Sequence, residues 1–329
     1  MKKTRIAFLI LFLFMLLLFA AGCKSKQDNN FTDWESVGTE GLTINFLQNF
    51  PQDKYVVSES KEAISVILDI KNRGSFPEQD KQNLLDAGRV YLSGFDDKII
   101  VMKEKWKGLS GLYLPGSSPI NPEGGFDTLE LEGDIIADNI MVEQYEPTIL
   151  ATICYPYATK AGPSVCVDPY PFDERQGKVC KIGSQTLTSQ GAPIAITKID
   201  QEASSNKIQF KISINNVGEG DVTRPGSSVL GKCNPDGNER LGRDDFDRVE
   251  LVSVKAGSMP LTCGPFSDGS DNLIRLFEGG GFVICTLDMK SGLVSTNSAF
   301  TTPLNIELNY NYRSTVSKQV RILKLKGIG

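Results

Sequence analysis

An all-β fold built from two copies of one unit is what this sequence predicts, and three repeated landmarks predict it. Pro303 to Lys324 reads as a β-hairpin. Leu304, Ile306, Leu308, Tyr310 and Tyr312 alternate with Asn305, Glu307, Asn309 and Asn311, the period of a strand with one buried face. Arg313 to Lys318 is polar and turn-like, and Val320 and Ile322 begin the return strand. The same pattern stands at Thr148 to Pro169, where Ile149, Tyr155, Tyr157, Val165 and Val167 lie 155 positions before Leu304, Tyr310, Tyr312, Val320 and Ile322. As a second landmark, Val66, Leu68, Ile70, Asn72 and Gly74 recur 144 positions later as Phe210, Ile212, Ile214, Asn216 and Gly218. The third is Gly124-Gly125-Phe126, which recurs 156 positions on as Gly280-Gly281-Phe282. Fixed strands separated by loops of unequal length produce offsets that differ this little.

At the N-terminus, Lys2, Lys3 and Arg5 precede the apolar run Ile6–Gly22, and Ala20, Ala21 and Gly22 lead into Cys23. Residues 1–23 resemble a lipoprotein signal peptide with its lipobox, which implies lipidation of Cys23. Ala20 departs from that pattern, where Leu, Val or Ile is usual. The competing reading is an uncleaved anchor helix, since seventeen apolar residues just suffice for a span. Both place the remainder outside the membrane, because the bases stay inside. Residues 24–37 follow as a polar tether.

The first body, 38–169, opens on the alternating strand Gly41–Leu47 and continues with Ile64–Lys71, which ends at Asn72-Arg73-Gly74. In the second, 190–326, Ile208–Ile214 ends at Asn216-Val217-Gly218. Asn-x-Gly suits a tight turn because both residue types tolerate positive φ. Further strand candidates are Arg89–Leu92, Ile99–Met102, Leu109–Leu114, Arg248–Val254 and Leu273–Phe277, while Lys81–Ala87 has room for a turn or two of helix. About seven short strands per copy is the count of an immunoglobulin-like sandwich. The expected fold is therefore two tandem immunoglobulin-like antiparallel β-sandwiches behind the N-terminal segment, joined by a linker at 170–189.

The order of alternating strand, Asn-x-Gly, Gly-Gly strand and Pro-led hairpin resembles extracellular Ig-like domains of the CARDB-like, cell-adhesion-related type. GTEGLTINFL (38–47), YLSGFDDKII (91–100), NPEGGFDTLE (121–130), TILATICYPY (148–157), VCVDPYPF (165–172), SQGAPIAITKI (189–199) and TPLNIELNYNY (302–312) are similar to an uncharacterised family of archaeal surface proteins. That resemblance implies two β domains on a membrane anchor and supplies neither ligand nor active residue.

Six cysteines follow Cys23: Cys154, Cys166, Cys180, Cys233, Cys263 and Cys285. An even number on an exported chain predicts three disulfides, with 15 possible connectivities. Cys154 and Cys166 flank the first expected hairpin, so a turn near Lys160 would oppose them within reach of a bond. Cys180 lies in the Pro- and Gly-rich connection and would pin it.

Composition narrows the chemistry. Hydrophobic content is 40%, ordinary for a globular chain, and the formal net charge is −5. Without residues 1–22 it becomes −8, which argues against nucleic acid or anionic lipid as the main partner of the body. The absence of histidine removes Ser-His-Asp and Cys-His nucleophiles, HExxH zinc sites and any histidine pH switch.

Asn234, Asp236 and Asn238 place oxygen side chains two apart, as a calcium loop does. Its glycine comes two positions early, however, and Asp245 rather than Glu stands twelfth, so a surface turn is the expected role. Asp244, Asp245 and Asp247 are the acidic cluster where an ion would be sought. Tyr170 and Phe172 are candidates for contact with a glycan or protein partner, or else for wedging the two bodies together. Trp106 and Trp34 face the same choice, with core packing expected of Trp106. Gly279-Gly280-Gly281 lacks the Lys and helix of a phosphate cradle and reads as a bend.

No cofactor is expected. The function expected is that of a non-catalytic, membrane-anchored surface protein for adhesion, envelope structure or assembly with envelope proteins or glycans. The alternative is an extracytoplasmic subunit that takes a peptide or glycan at the domain junction.

Overall fold

In the computed structural model, residues 37–325 are described apart from 59, 174–176, 268, 270–271 and 290–297. The expectations for residues 1–23 with Cys23, for most of the tether and for Trp34 lie outside the described residues.

Strands dominate. In the first half they are β1 (Leu42–Phe46), β2 (Lys54–Val57), β3 (Lys61–Asn72), β4 (Arg89–Ser93), β5 (Ile100–Met102), β6 (Trp106–Gly108), β7 (Phe126–Ile136), β8 (Gln144–Tyr145) and β9 (Thr148–Ala161). Then come β10 (Ser164–Val167), β11 (Gln185–Thr186), β12 (Ile194–Ala203), β13 (Lys207–Asn216), β14 (Asp221–Thr223), β15 (Arg248–Ala256) and β16 (Met259–Pro260). The last are β17 (Thr262–Gly264), β18 (Leu273–Arg275), β19 (Gly280–Asp288), β20 (Phe300–Gln319) and β21 (Arg321–Lys324). Among the described residues the one α-helix is α1, Ser227–Gly231, and Lys81–Ala87 holds a 3-10 turn at Gln82–Leu85. The all-β expectation holds.

Alternation explains the outer sheets. Val66, Leu68 and Ile70 on β3 are fully buried while their neighbours are not, so one face of β3 packs inward. Phe210, Ile212 and Ile214 do the same on β13. Each half builds one sheet around that strand, β1-β3-β7-β5 in the first and β11-β12-β13-β19-β17 in the second. Between them the halves share a nine-stranded sheet with the path β16-β15-β20-β9-β4-β6, to which β10, β14 and β18 add. A three-stranded sheet, β2-β21-β8, includes the parallel pairing of β2 with β21. One hydrophobic cluster runs through both halves, and the described residues belong to a single compact unit, Glu35–Gly329.

The repeated hairpins are not hairpins. β20 runs straight through the expected turn at Arg313–Lys318 and pairs with β9 from Thr148 opposite Gln319 to Ala161 opposite Ile306. Beyond Gly162-Pro163 the register carries on, with Ser164 facing Pro303 and Val167 facing Phe300. Thr148–Val167 is thus one interrupted strand laid along Phe300–Gln319. The physical reason is plain in the residues: Arg313–Lys318 contains no Gly, Asn or Asp to take positive φ, so nothing there reverses the chain. It also explains why Cys154 and Cys166 are not bonded. Twelve residues apart on one extended line, they are separated by about 40 Å. The disulfides are Cys154–Cys233, Cys166–Cys180 and Cys263–Cys285.

Two smaller expectations also change. Leu109–Leu114 is loop rather than strand, its Leu109 and Leu114 buried as anchors, and the strand is Trp106–Gly108 just before it. Trp106 sits on that edge strand, 46% exposed, under the Arg89 guanidinium at 4.8 Å, and not in the core. The Gly279 bend is as expected: Glu278 and Gly279 have φ of 51° and 79°, which a two-residue hairpin turn requires.

Candidate binding cleft at the internal dyad

The long antiparallel pair of β9 and β20 has an internal two-fold. Tyr157 faces Tyr310, Tyr155 faces Tyr312, and Pro156 faces Asn311 at the centre. Each tyrosine therefore meets the repeat-equivalent of its neighbour, as residues do across a symmetric dimer interface. All four rings are buried and in contact, with centroids 5.7 to 6.4 Å apart along the quartet.

Their hydroxyls tie the outer sheets to the dyad in matching ways. The Tyr157 hydroxyl donates to Asn72 Oδ1 at 3.2 Å, and that of Tyr312 to Asn216 Oδ1 at 3.1 Å. In return each accepts a backbone N–H, from Phe76 at 3.3 Å and from Gly220 at 2.8 Å. The Asn-x-Gly landmark is explained here. Asn72 Oδ1 also takes the Gly74 N–H, Asn216 Oδ1 the Gly218 N–H, and both asparagines donate to the carbonyl four residues on. A Cβ at Gly74 or Gly218 would collide with the tyrosine oxygen, so the glycine is a requirement of this contact. Tyr155 exchanges hydrogen bonds with the Leu42 backbone, and Tyr310 bonds Thr159, which donates to Ile194 O. Burial raises the pKa of all four hydroxyls, to about 12 for Tyr312 and well above the ordinary value for the fully buried others.

On the opposite face of the same two strands the outward residues Pro156, Lys160, Glu307, Asn309 and Asn311 form the floor of a cleft of about 400 Å³. Its walls are equivalent connections from the two halves. Phe76, Glu78, Lys81 and Leu84 come from the β3–β4 loop, and Pro225, Gly226, Ser227 and Leu230 from the β14–β15 loop. Glu78 accepts Lys160 Nζ at 2.7 Å and also binds Lys81, and these two hydrogen bonds hold its pKa down at about 2. Asn311 is 1% exposed and donates through Nδ2 to Arg224 O at 2.9 Å and Gly226 O at 3.1 Å, while its Oδ1 has no partner. A second, more polar groove of about 710 Å³ lies along Gly41, Gly218 and Arg313, where Arg313 pairs with Asp221 at 2.7 Å.

The β14–β15 loop is fastened across the first half. Cys154 of β9 bonds Cys233, beside buried Tyr91 and Leu230, and Lys105 binds both Asp97 and Asp236. This loop carries the calcium-like residues. Asn234 Oδ1 accepts the Asp236 N–H at 3.1 Å in a turn, and Asn238, Asp244 and Asp247 are exposed. Asp245 is buried and accepts Arg224, Lys232 and the Gly242 amide at 2.9 to 3.3 Å. Burial pushes its carboxyl up, but those donors outweigh burial and hold it below the usual range. Among the described residues no group of three or more His, Cys, Asp or Glu is placed to hold a metal.

Tyr170 and Phe172 are 46% and 75% exposed. Their loop is closed by Cys166–Cys180 and by Lys178, which binds buried Asp168 at 2.7 Å, so Cys180 does pin the connection. The asparagines of the cleft floor lie in the alternation of LNYNY. Asparagine is depleted in strands, so two of them on one strand face were the available signal.

Among the described residues no helix is long and apolar enough to cross a membrane. No family model matches the chain, and no curated protein matches it. A solved structure titled BspA_C_WT aligns over 86% of this chain and 99% of its own at 8% identity, with a TM-score of 0.15, too low to bear on fold or function.

Proposed function

We propose that this chain is a non-catalytic surface protein whose body works outside the membrane, in adhesion, envelope structure or assembly with other envelope components. The observation that carries this reading is the cysteine chemistry: every cysteine after Cys23 is paired in a disulfide, the usage of an oxidising compartment. The N-terminal segment supplies the anchor, with lipid on Cys23. The two halves are read as immunoglobulin-like units of the CARDB-like type, each with its own outer sheet and joined along the dyad. The acidic body and the paired state of the buried Asp245 leave nucleic acid and metal chemistry without support in this reading.

Fractionation and mass spectrometry of the wild type and Cys23→Ser test it. The wild type should partition with membranes, carry lipid at Cys23 and lack residues 1–22, and the variant should lose both lipid and cleavage. An intact residue 1–22 segment without lipid would replace the lipoprotein anchor by a helix. A reduced, cytosolic body with titratable thiols would overturn the surface reading itself.

A further inference from the structure

We propose that the outer edge of β1 takes an extended, uncharged segment of a partner protein as an added antiparallel strand. The internal repeat carries this. The second half's outer sheet runs β11-β12-β13-β19-β17, and without β11 its strands are the counterparts of β1-β3-β7-β5. The first sheet therefore lacks one strand, and the second shows what stands in that place. Gln185 of β11 lies opposite Ile199, and the Leu187 N–H bonds Thr197 O, so by alternation Gln185 meets the outward backbone groups of Ile199. The Gln190 side chain reaches Ile196, accepting its N–H at 2.8 Å and donating to its carbonyl at 3.0 Å.

Ile199 and Ile196 face Ile212 and Ile214 on β13 as Phe46 and Ile44 face Leu68 and Ile70 on β3. Gly41 O accepts the Arg73 N–H and the Leu47 N–H bonds Ile67 O, so by the same alternation Ile44 and Phe46 turn their N–H and C=O away from β3. Among the described residues those groups make no hydrogen bond. Asn45 is exposed and Phe46 partly exposed, so the edge is reached at that end. The groove along Gly41, Gly218 and Arg313 continues into a second of about 580 Å³, the two meeting at Asn45, Thr315 and Val316, and this trough follows the edge. β1 itself, LTINF, carries no Lys, Pro or bulge to close it to other chains.

Backbone donors and acceptors repeating at every second residue are the pattern an added strand completes. Charge favours a neutral one. Of the four acids lining the trough, Glu40 is met by Arg73, Asp221 by Arg313 and Asp53 by Lys318, and the remaining Glu219 disfavours an acidic occupant. β11 sets the precedent, a polar, uncharged stretch with no strand on its far side. β1 of a second copy would bring the wall of its own β20 with it, which a free segment does not. The inference goes beyond the surface-protein reading by giving a partner's chemistry, and it does not depend on the anchor.

The test uses the full-length chain in detergent and a synthetic peptide with the sequence of residues 183–191, which fills the equivalent place in the second half. Amide hydrogen exchange is read at Phe46. In the chain alone that amide should exchange freely, and peptide at about ten times its Kd should slow it about tenfold. N-methylation of the peptide at the position of Gln185, whose N–H pairs, should abolish the effect. At the position of Thr186, whose N–H points away, it should not. No slowing at millimolar peptide, or equal slowing by both methylated peptides, would overturn the proposal. So would a Phe46 amide protected without peptide, including one protected only at high protein concentration, as pairing with a second copy would give. None of these outcomes bears on lipid at Cys23, so the two readings fail separately.

Discussion

Tyr157 meets Asn72 in the first half much as Tyr312 meets Asn216 in the second, whereas Pro156 and Asn311, facing each other one residue away on the same strands, have nothing in common. On the inner face of the β9–β20 pair Tyr157 and Tyr312 repeat down to individual hydrogen bonds, while Tyr155 bonds the Leu42 backbone and its equivalent Tyr310 bonds Thr159. The outer face repeats in backbone only. Cys154 there corresponds to Asn309, and the β3–β4 loop carries a 3-10 turn where the longer β14–β15 loop carries an α-helix, a disulfide and a buried aspartate. The difference teaches where duplication is constrained. Four buried hydroxyls must each find partners, because a buried polar group left alone costs about 1–3 kcal/mol, and for Tyr157 and Tyr312 those partners are the same in both halves. Outward positions carry no such demand and have become dissimilar enough to shape a cleft.

Alkali should expose the inner face most strongly. Burial raises all four tyrosine pKa values, so their contribution to stability is complete below the unfolded value near 10 and is lost as pH rises through the folded values, about 12 for Tyr312 and well above the ordinary value for the others. Above pH 10 the stability should fall by up to about 1.4 kcal/mol per pH unit for each ring that stays protonated in the folded state. Denaturant melts across that range, with tyrosinate absorbance appearing only on unfolding, measure it. Tyr157→Phe and Tyr312→Phe should flatten the slope to a similar extent. A tyrosinate signal in the folded protein at pH 10.5 from these rings would contradict the symmetry.

The outer face should show its asymmetry through Cys154–Cys233. The bond closes a separation of 79 residues and ties the second half's loop to the first half's strand. Replacing both cysteines by alanine should cost about 4 kcal/mol by the loop-entropy estimate, against about 3 kcal/mol for the 14-residue Cys166–Cys180 loop. Urea titration of the two double variants checks the order. If the Cys166–Cys180 variant were the weaker protein, the tie across the halves would not be what steadies the outer loop.

A finer distinction separates the two asparagines. Asn72 is fully buried and makes one bond more than Asn216, to Leu114 O at 2.9 Å. Asn72→Ala should destabilise by about 3 kcal/mol and Asn216→Ala by about 2 kcal/mol. Equal losses in thermal melts would mean that the extra bond contributes nothing.

How much of this was legible follows from the same physics. Core alternation and Asn-x-Gly are set by local backbone and burial, so the repeat could be read from residues alone. The Gly-Gly landmark was found but two places out. Asn72 N–H pairs with Gly125 O and Asn216 N–H with Gly279 O, so the backbone offset is 154 while the Phe126–Phe282 match gave 156. The hairpins were misread because Gly162-Pro163 does interrupt the strand, and interruption looks like reversal until the partner is known. Which strand lies beside β9 depends on residues about 150 positions away, and no local pattern carries that. The cleft was out of reach for the same reason, since its two walls meet only once β9 and β20 are paired.

That pairing has a consequence for how the chain reaches its shape. Tyr157 and Tyr310 are opposed at a sequence separation of 153, and every rung of the β9–β20 ladder spans a comparable distance in sequence. Loop closure of that order must precede any reward from the contacts, and topologies rich in such pairings fold on the millisecond-to-second scale. β3 with β7 and β13 with β19 close over much shorter stretches. Each outer sheet therefore has a local route to form, and the tyrosine quartet is expected to zip last. Until it does, both long strands present open edges, and in that interval the first half of one chain is a competent partner for the second half of another. The symmetry that makes the finished molecule one unit makes exchange between chains its characteristic folding error.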